Sequence, residues 1–226
     1  MKYYPLAVLS LMAMLLISCN ESKKDSEQVT KALDSLSVPY DEIKNVIRVD
    51  DSLGITMVIR DMHKWYITTG AVNDFDVYNE KPTDTLWIGI DTKAHKKRMQ
   101  QLKETNFFTG EFLFNYDKIA KTIDNELKSG RAKYVVGDLP PFGNDAVPWI
   151  NAQDWPDSYW TMMEVKNIKY SGDYATFVWN FNDPDNSENN NYLYECRFKK
   201  INGGWKIDWM QGFDYEPFVK GLFEKY

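Results

Sequence analysis

The stretch YATFVWNF, residues 174–181, decides the fold of this chain. Its bulky apolar residues Phe177, Trp179 and Phe181 recur at every second position, a period typical of a β-strand with one buried face. Comparable β-rich segments occur at 159–170, 192–201 and 205–211. Short glycine turns follow the first and third of the four segments and predict hairpins. The last third of the chain is therefore predicted to form a four-stranded antiparallel sheet.

The same alternation predicts which residues share each face of the sheet. The inner face is predicted to hold Tyr194, Cys196, Phe198, Trp205, Ile207 and Trp209. The alternate positions are charged, namely Glu195, Arg197, Lys199, Lys206 and Asp208. That second face is predicted to be solvated, so Asp208 is expected to be an exposed carboxylate.

The segment before the sheet has a helical period instead. Apolar residues recur on one helical face from Ile55 to Tyr66, and again from Phe112 to Leu127. Asp91 is predicted to cap the start of a further helix, and Gly130 to follow the end of the last one. Helices first and strands last predict an α+β fold, with N-terminal helices packed on a curved C-terminal antiparallel sheet. The predicted domain covers residues 51–226.

The N-terminal residues predict a secretory signal that ends in a cysteine. Lys2 precedes an apolar run that ends in Leu16-Ile17-Ser18-Cys19, and the run is shorter than the ~20 apolar residues of a spanning helix. This end resembles the lipobox of bacterial lipoproteins. In that family the cysteine takes a diacylglycerol, the chain is cut before it, and the new amino end is acylated. The alternative is an ordinary secretory signal with an incidental cysteine.

The lipobox resemblance implies three segments and a location. Residues 1–18 are the expected lipoprotein signal peptide, Cys19 the lipidated residue, and 19–50 a flexible polar tether. The expected location is the cell envelope, with the chain anchored by lipid in the outer membrane, on its periplasmic or its surface face. The membrane is then the first predicted partner.

Composition restricts the other partners. The formal net charge is −6, and the one basic block is His95-Lys96-Lys97-Arg98, so nucleic acid is not expected as a partner. The chain has two cysteines. If Cys19 carries lipid, Cys196 has no disulfide partner, and one cysteine with two distant histidines does not make a structural zinc site. No phosphate-binding glycine loop and no nucleophile elbow are present, and no cofactor is predicted.

Three stretches resemble a family of uncharacterised bacterial envelope lipoproteins of the Bacteroidetes type. They are His63-Lys64-Trp65-Tyr66, Ala152-Gln153-Asp154-Trp155 and Gly203-Gly204-Trp205-Lys206-Ile207-Asp208. Those proteins have the cone-like fold of nuclear transport factor 2 and ketosteroid isomerase. The resemblance spans about residues 51–212 and implies a sheet wrapped around helices, with a cavity at the open end. That fold hosts enzymes, binders and inert modules, so it does not assign a function.

Aromatic residues of the second half are the strongest indication of binding. Trp149, Trp155, Tyr159 and Trp160 are candidates for a rim that holds a small apolar ligand or a glycan. The favoured hypothesis is a non-catalytic domain that binds a small ligand or a partner. An isomerase or dehydratase with Asp154 as general base is the alternative, and Asp154 as the cap of a turn is the plainer interpretation.

Two further hypotheses concern partners and modification. An interaction subunit of an envelope complex would carry a broad exposed apolar patch. The triplets at Asp34-Ser35-Leu36, Asp51-Ser52-Leu53 and Asp84-Thr85-Leu86 resemble acceptors of O-glycosylation in Bacteroidetes, with Ser35 the best candidate. His63 and His95 lie beside apolar stripes and are predicted to be packed or half-exposed rather than functional.

Overall fold

A computed structural model describes residues 40–70, 74–137 and 147–215, and the side chains of its first helix from Asp51 onward. The chain divides into two compact units, Met1–Val49 and Asp50–Tyr226. The predictions for Cys19 and Ser35 concern residues outside the described ranges.

Within the described residues the fold combines three α-helices with two antiparallel sheets, which confirms the predicted α+β class. The helices are α1 (Tyr40–Trp65), α2 (Thr92–Thr105) and α3 (Gly110–Lys128). The strands are β1 (Val77–Tyr78), β2 (Gly89–Ile90), β3 (Glu164–Ser171), β4 (Tyr174–Asn180), β5 (Tyr194–Ile201) and β6 (Gly204–Met210). A π-helical turn at Tyr66–Gly70 follows α1, and 3₁₀ turns occupy Tyr159–Thr161 and Ser187–Asn191.

The larger sheet is an antiparallel meander with the order β3-β4-β5-β6, as the hairpin turns predict. Gly172 and Gly203 have φ values of 57° and 82°, which glycine adopts without a steric penalty. Strand β3, the first strand of this sheet, begins at Glu164 and not at the predicted residue 159, because Tyr159–Thr161 forms a 3₁₀ turn.

The first helix begins earlier than the apolar pattern indicates. Helix α1 starts at Tyr40, inside the segment 19–50 that was expected to be a flexible tether, so the part from Tyr40 to Asp50 is helical. Further along the helix, Ile55, Ile59 and Met62 are fully buried. This face is the one that the helical period predicted.

The two later helices begin at capping side chains. The Asp91 carboxylate accepts hydrogen bonds from the backbone N–H groups of Lys93 and Ala94, at 2.9 and 3.0 Å. The Thr109 hydroxyl accepts one from the N–H of Phe112 at 3.1 Å. Each cap satisfies a donor that the first helical turn leaves open, which is typically worth about 1 kcal/mol. The predicted cap at Asp91 is confirmed.

A β-bulge in β6 changes the faces that simple alternation predicted. Phe198 pairs with Ile207, but its neighbour Arg197 pairs with Trp209, so Asp208 is the extra residue. Ile207 and Asp208 are therefore both buried, and Trp209 is only half-buried. The predictions of an exposed Asp208 and an inward Trp209 are wrong for this reason.

The interior is filled by large aromatic side chains. The biggest of the fully buried ones are Trp149, Trp179, Tyr116, Tyr159, Phe112, Phe181, Phe198 and Phe213. They belong to one continuous core with the buried faces of α1 and α3. In the described ranges, no helix has the length and apolar character needed to cross a membrane.

Candidate functional site

A buried carboxylate lies at the centre of the aromatic core. Asp74 accepts three hydrogen bonds: from Arg98 Nε at 3.0 Å, from the Tyr116 hydroxyl at 2.5 Å and from Trp149 Nε1 at 2.5 Å. The Asp74 and Arg98 side chains are 5 % and 4 % exposed, so this is a buried ion pair. A buried charge without such partners would be strongly unfavourable.

Burial and its partners act on Asp74 in opposite directions. Burial raises the pKa of the carboxyl group, while the Arg98 guanidinium and the donated hydrogen bonds lower it. Arg98 is also stacked against indole rings, with its guanidinium carbon 5.3 Å from the Trp65 ring centroid and 5.4 Å from that of Trp149. Both oxygens of Asp74 are engaged by the protein itself, so this cluster fixes the core and leaves little access for a substrate.

The backbone beside Asp74 is strained. Phe75 has a φ of 60°, the left-handed region that a bulky residue seldom adopts. Its ring is held between neighbours: the centroid lies 4.6 Å from that of Tyr116. The hydrogen bonds of Asp74 and this packing together hold the chain in a conformation that Phe75 would not adopt alone.

A second buried polar pair joins α1 to the 3₁₀ turn before the large sheet. His63 Nδ1 and the Tyr159 hydroxyl lie 2.7 Å apart, a hydrogen-bond distance, and both side chains are fully buried. Among the described residues His63 Nε2 has no hydrogen-bond partner. Burial lowers the pKa of His63 from 6.5 to about 3, so the imidazole is neutral at physiological pH.

Two of the four predicted ligand residues do not lie on a rim. Trp149 and Tyr159 are core residues, which corrects the expectation that they line an opening, because their polar atoms are used in the internal pairs just described. Trp155 and Trp160 are half-buried, and Asp154 is exposed. An exposed Asp154 lacks the apolar walls that a general base of the isomerase type needs.

The described surface has an open groove in a different place. It has a volume of about 730 Å³ and lies between the segment around β1 and β2 and the end of α3. Its lining residues are Tyr78, Glu80, Thr83, Asp84, Thr85, Leu86, Ile88, Leu127 and Lys128.

The floor of the groove depends on Gly89. A Cβ atom there would lie 2.8 Å from Asp124 Oδ1 and 3.1 Å from side-chain carbons of Tyr78 and Lys128. Asp124 connects these parts, because it accepts a hydrogen bond from the Ile90 N–H at 3.0 Å and pairs with Lys128 Nζ at 2.7 Å. The glycine allows strand β2 to approach α3 closely, next to the lining residues Tyr78, Ile88 and Lys128.

One wall of the groove is an irregular segment with β-type bonding. The N–H of Trp87 donates to the carbonyl of Tyr134, and the N–H of Val136 to that of Thr85, both at 2.9 Å. These bonds fix the backbone around Leu86, so its side chain is held at the surface with 37 % of its area exposed. The groove is therefore largely formed before any ligand binds.

The lining combines groups of different chemistry. Tyr78, with 38 % of its area exposed, and Leu86 supply apolar surface. Two carboxylates, two threonine hydroxyls and the ammonium of Lys128 supply hydrogen-bonding groups. Sequence reasoning missed this site, because no local pattern places residues 78–88 against residues 127 and 128.

No protein-family model matches this chain, and neither does any curated protein or solved structure. Function must therefore be argued from the geometry of the chain itself. The described residues contain no group of three or more histidine, cysteine, aspartate or glutamate side chains that could hold a metal ion.

Proposed function

We propose that this chain is a lipid-anchored protein of the cell envelope, and that its α+β domain binds a short glycan in the groove beside α3 without transforming it. The observation that carries the binding role is the groove itself, with its preformed walls and mixed lining. Concave sites with some apolar surface and a few placed polar groups are typical of small-ligand binding.

The lining favours a glycan over a purely apolar ligand. The exposed Tyr78 ring offers a face on which the apolar side of a sugar ring can stack. Glu80 and Asp84 can accept hydrogen bonds from sugar hydroxyls, and Thr83 and Thr85 can both donate and accept them. A purely apolar ligand would displace water from the exposed Glu80, Thr83 and Thr85 without replacing its hydrogen bonds.

The placement of Asp74 and Asp154, two carboxylates outside the groove, does not support a catalytic role for either. A general base needs a substrate within about 3 Å in a site that limits water. Asp74 is enclosed by three donors of the protein, and Asp154 is exposed. A substrate therefore cannot reach Asp74, and water is not kept away from Asp154.

The apolar surface gives less support to an interaction subunit. Leu53 and Met57 are both more than half exposed. They are four residues apart on α1, so they lie next to each other on one face of the helix. Within the part of the chain that the structure describes, these two side chains on one turn fall short of the broad patch that an envelope complex would need.

The anchor is supported by the Leu16-Ile17-Ser18-Cys19 motif. Replacing the cysteine by Cys19→Ser should release the chain from alkaline-washed membranes, because stable attachment needs two membrane signals. Intact-mass analysis of the native protein should show three acyl chains on Cys19. Extra mass of hexose size would support glycosylation at Ser35. A Cys19→Ser chain that stays in the washed membrane as fully as wild type would contradict the anchor.

The groove is tested with a panel of soluble neutral and acidic oligosaccharides, first by thermal shift and then by isothermal titration calorimetry. Tyr78→Ala should weaken binding of any hit roughly tenfold, because it removes the stacking face. Tyr192→Ala is the matched control, since Tyr192 is 62 % exposed and does not line the groove. Equal affinities for the two variants would contradict the proposed site.

A further inference from the structure

The outer face of the large sheet carries a set of positive charges in two rows across the strands. In the first row Tyr174 pairs with Lys199, which pairs with Lys206. The second row runs from Lys169 on β3 through Thr176 on β4 and Arg197 on β5 to Trp209 on β6, each paired with the next. The alternate residues of β4 and β5 are buried, so these side chains point away from the core.

The pairing of Lys199 with Lys206 is unfavourable by itself. Like charges directly opposite on one face of a sheet destabilise the pair. The Lys206 ammonium donates to the neutral Asn106 Oδ1 at 2.5 Å, so this bond brings no compensating charge. Lys199 lies 5.1 Å from the centroid of the Tyr174 ring.

Acidic neighbours do not cancel this charge. The hydroxyl of Tyr174 raises the pKa of Lys199 most, and Asp173 and Asp208 add to the effect, so the ammonium stays charged. Among the ion pairs of the described residues, however, Asp208 pairs with Arg197 and neither aspartate pairs with Lys199. The outer residues of the four strands carry five cations (Lys166, Lys169, Arg197, Lys199, Lys206) against three carboxylates (Glu164, Glu195, Asp208). The face thus keeps an excess of two positive charges on a chain whose formal net charge is −6.

Aromatic side chains lie among these cations. Tyr174 is exposed, and both Arg197 and Lys199 make cation–π contacts with its ring. The guanidinium carbon of Arg197 lies 5.8 Å from the ring centroid. Trp209 is half-buried on the same face, and its Nε1 donates to Asp214 at 2.7 Å. Tyrosine and tryptophan are amphipathic and favour the boundary between water and lipid.

We propose that this outer face, centred on Lys199 and Lys206, docks on a membrane surface with anionic lipid head groups. The cations lie on three of the four strands, β3, β5 and β6, instead of being gathered in a cleft, which fits a broad charged surface better than a single bound chain. Anionic head groups would relieve the repulsion of the two lysines. The proposal goes beyond the glycan-binding role and does not need the groove or the lipid on Cys19.

The test uses the full chain with Cys19→Ser and Thr176→Cys, labelled at residue 176 with a fluorescent dye. Cys196 is buried, so the dye goes to the outer face of the sheet. Vesicles of phosphatidylglycerol or of phosphatidylcholine carry head groups with a nitroxide quencher. The N-terminal segment is the same in every chain and with both kinds of vesicle, so it cannot account for a difference in quenching between them. Docking of the sheet is what brings the dye to the head groups.

Quenching is expected with phosphatidylglycerol, should fall as salt is raised, and should be absent with phosphatidylcholine. Lys199→Ala with Lys206→Ala should weaken docking about 25-fold, from roughly fivefold for each lysine near an anionic surface. Lys93→Ala with Lys96→Ala is the matched control, because both lysines are exposed on α2. If the alanine pair unfolds, Lys199→Gln with Lys206→Gln takes its place.

Three results would overturn the proposal. They are equal quenching with both lipids, equal quenching for the two lysine pairs, and a dye response to soluble dextran sulfate without any response to phosphatidylglycerol. The last result would instead indicate an anionic polysaccharide as the partner. Because the chain carries Cys19→Ser and the groove residues are unchanged, none of these results bears on the anchor or on the glycan site.

Discussion

His63 Nδ1 lies 2.7 Å from the Tyr159 hydroxyl, and this pair joins helix α1 to the turn before the sheet across 96 residues of sequence. The edge of the imidazole also packs on Trp179, with ring centroids 4.8 Å apart. A protonated imidazole would be a buried charge without a carboxylate partner among the described ion pairs. The pair therefore makes the stability of the domain sensitive to acid.

The first prediction concerns the free energy of unfolding as a function of pH. Burial lowers the pKa of His63 to about 3 in the folded state, against 6.5 when it is exposed. The unfolded chain thus binds a proton below pH 6.5 that the folded chain does not bind. Stability is fully present above pH 6.5 and falls as the pH drops from 6.5 toward 3, by at most about 5 kcal/mol. Urea unfolding at several pH values measures this slope.

The control for this prediction is the His63→Asn chain. Burial also raises the pKa of Asp74, and this effect on stability has the opposite sign, because the folded state then holds the proton more strongly. The difference between wild type and His63→Asn isolates the histidine. If the two chains lose stability with the same slope between pH 6.5 and pH 4, His63 is not a neutral buried group.

The second prediction concerns the buried carboxylate. Asp74→Ala removes the acceptor for Arg98, Tyr116 and Trp149 and leaves the guanidinium buried without its charge partner. The expected loss of stability is roughly 3–5 kcal/mol. Asp154→Ala, at an exposed carboxylate, should change stability by no more than about 0.5 kcal/mol. Similar losses for the two variants in chemical denaturation would contradict the buried network.

The third prediction compares two tryptophans of the sheet. Trp179 is buried between His63 and Tyr194, with ring centroids 4.8 and 4.5 Å away. Trp179→Ala should cost roughly 3–5 kcal/mol, the usual loss for a large buried aromatic. Trp209 is half-buried beyond the bulge, so Trp209→Ala should cost less than about 2 kcal/mol. Equal losses in thermal and urea unfolding would contradict the register assigned to β6.

The different positions of these tryptophans show where sequence patterns succeed. Period-two alternation correctly predicts that Phe177 and Trp179 share the buried face of β4. It succeeds there because the pairing of β4 with β5 contains no bulge. It fails after Ile207, because one extra residue at Asp208 moves every later side chain to the other face. Residues 205–211 contain no glycine or proline that would mark the bulge.

The sites are harder to predict than the strands. Trp149 follows a proline-rich segment, a pattern typical of a surface loop, yet it is core because Asp74 accepts its indole N–H. That contact spans 75 residues, and no periodicity connects its two ends. The groove depends in the same way on Gly89 meeting Asp124 of α3. Local patterns predict the elements, whereas these sites arise from contacts between distant elements.

The last prediction concerns Cys196 in strand β5. Its thiol is buried, and burial raises the pKa of the group far above its ordinary value. Because the thiolate is the reactive form, native Cys196 should resist a thiol reagent such as Ellman's reagent for hours and react once the chain is unfolded in urea. The comparison uses the Cys19→Ser chain with and without Thr176→Cys, since residue 176 is exposed on the neighbouring strand. One thiol should react quickly in the Thr176→Cys chain and none in the other. Rapid native reaction of Cys196 would show that β5 is not covered as described, and would remove the basis for labelling residue 176 alone.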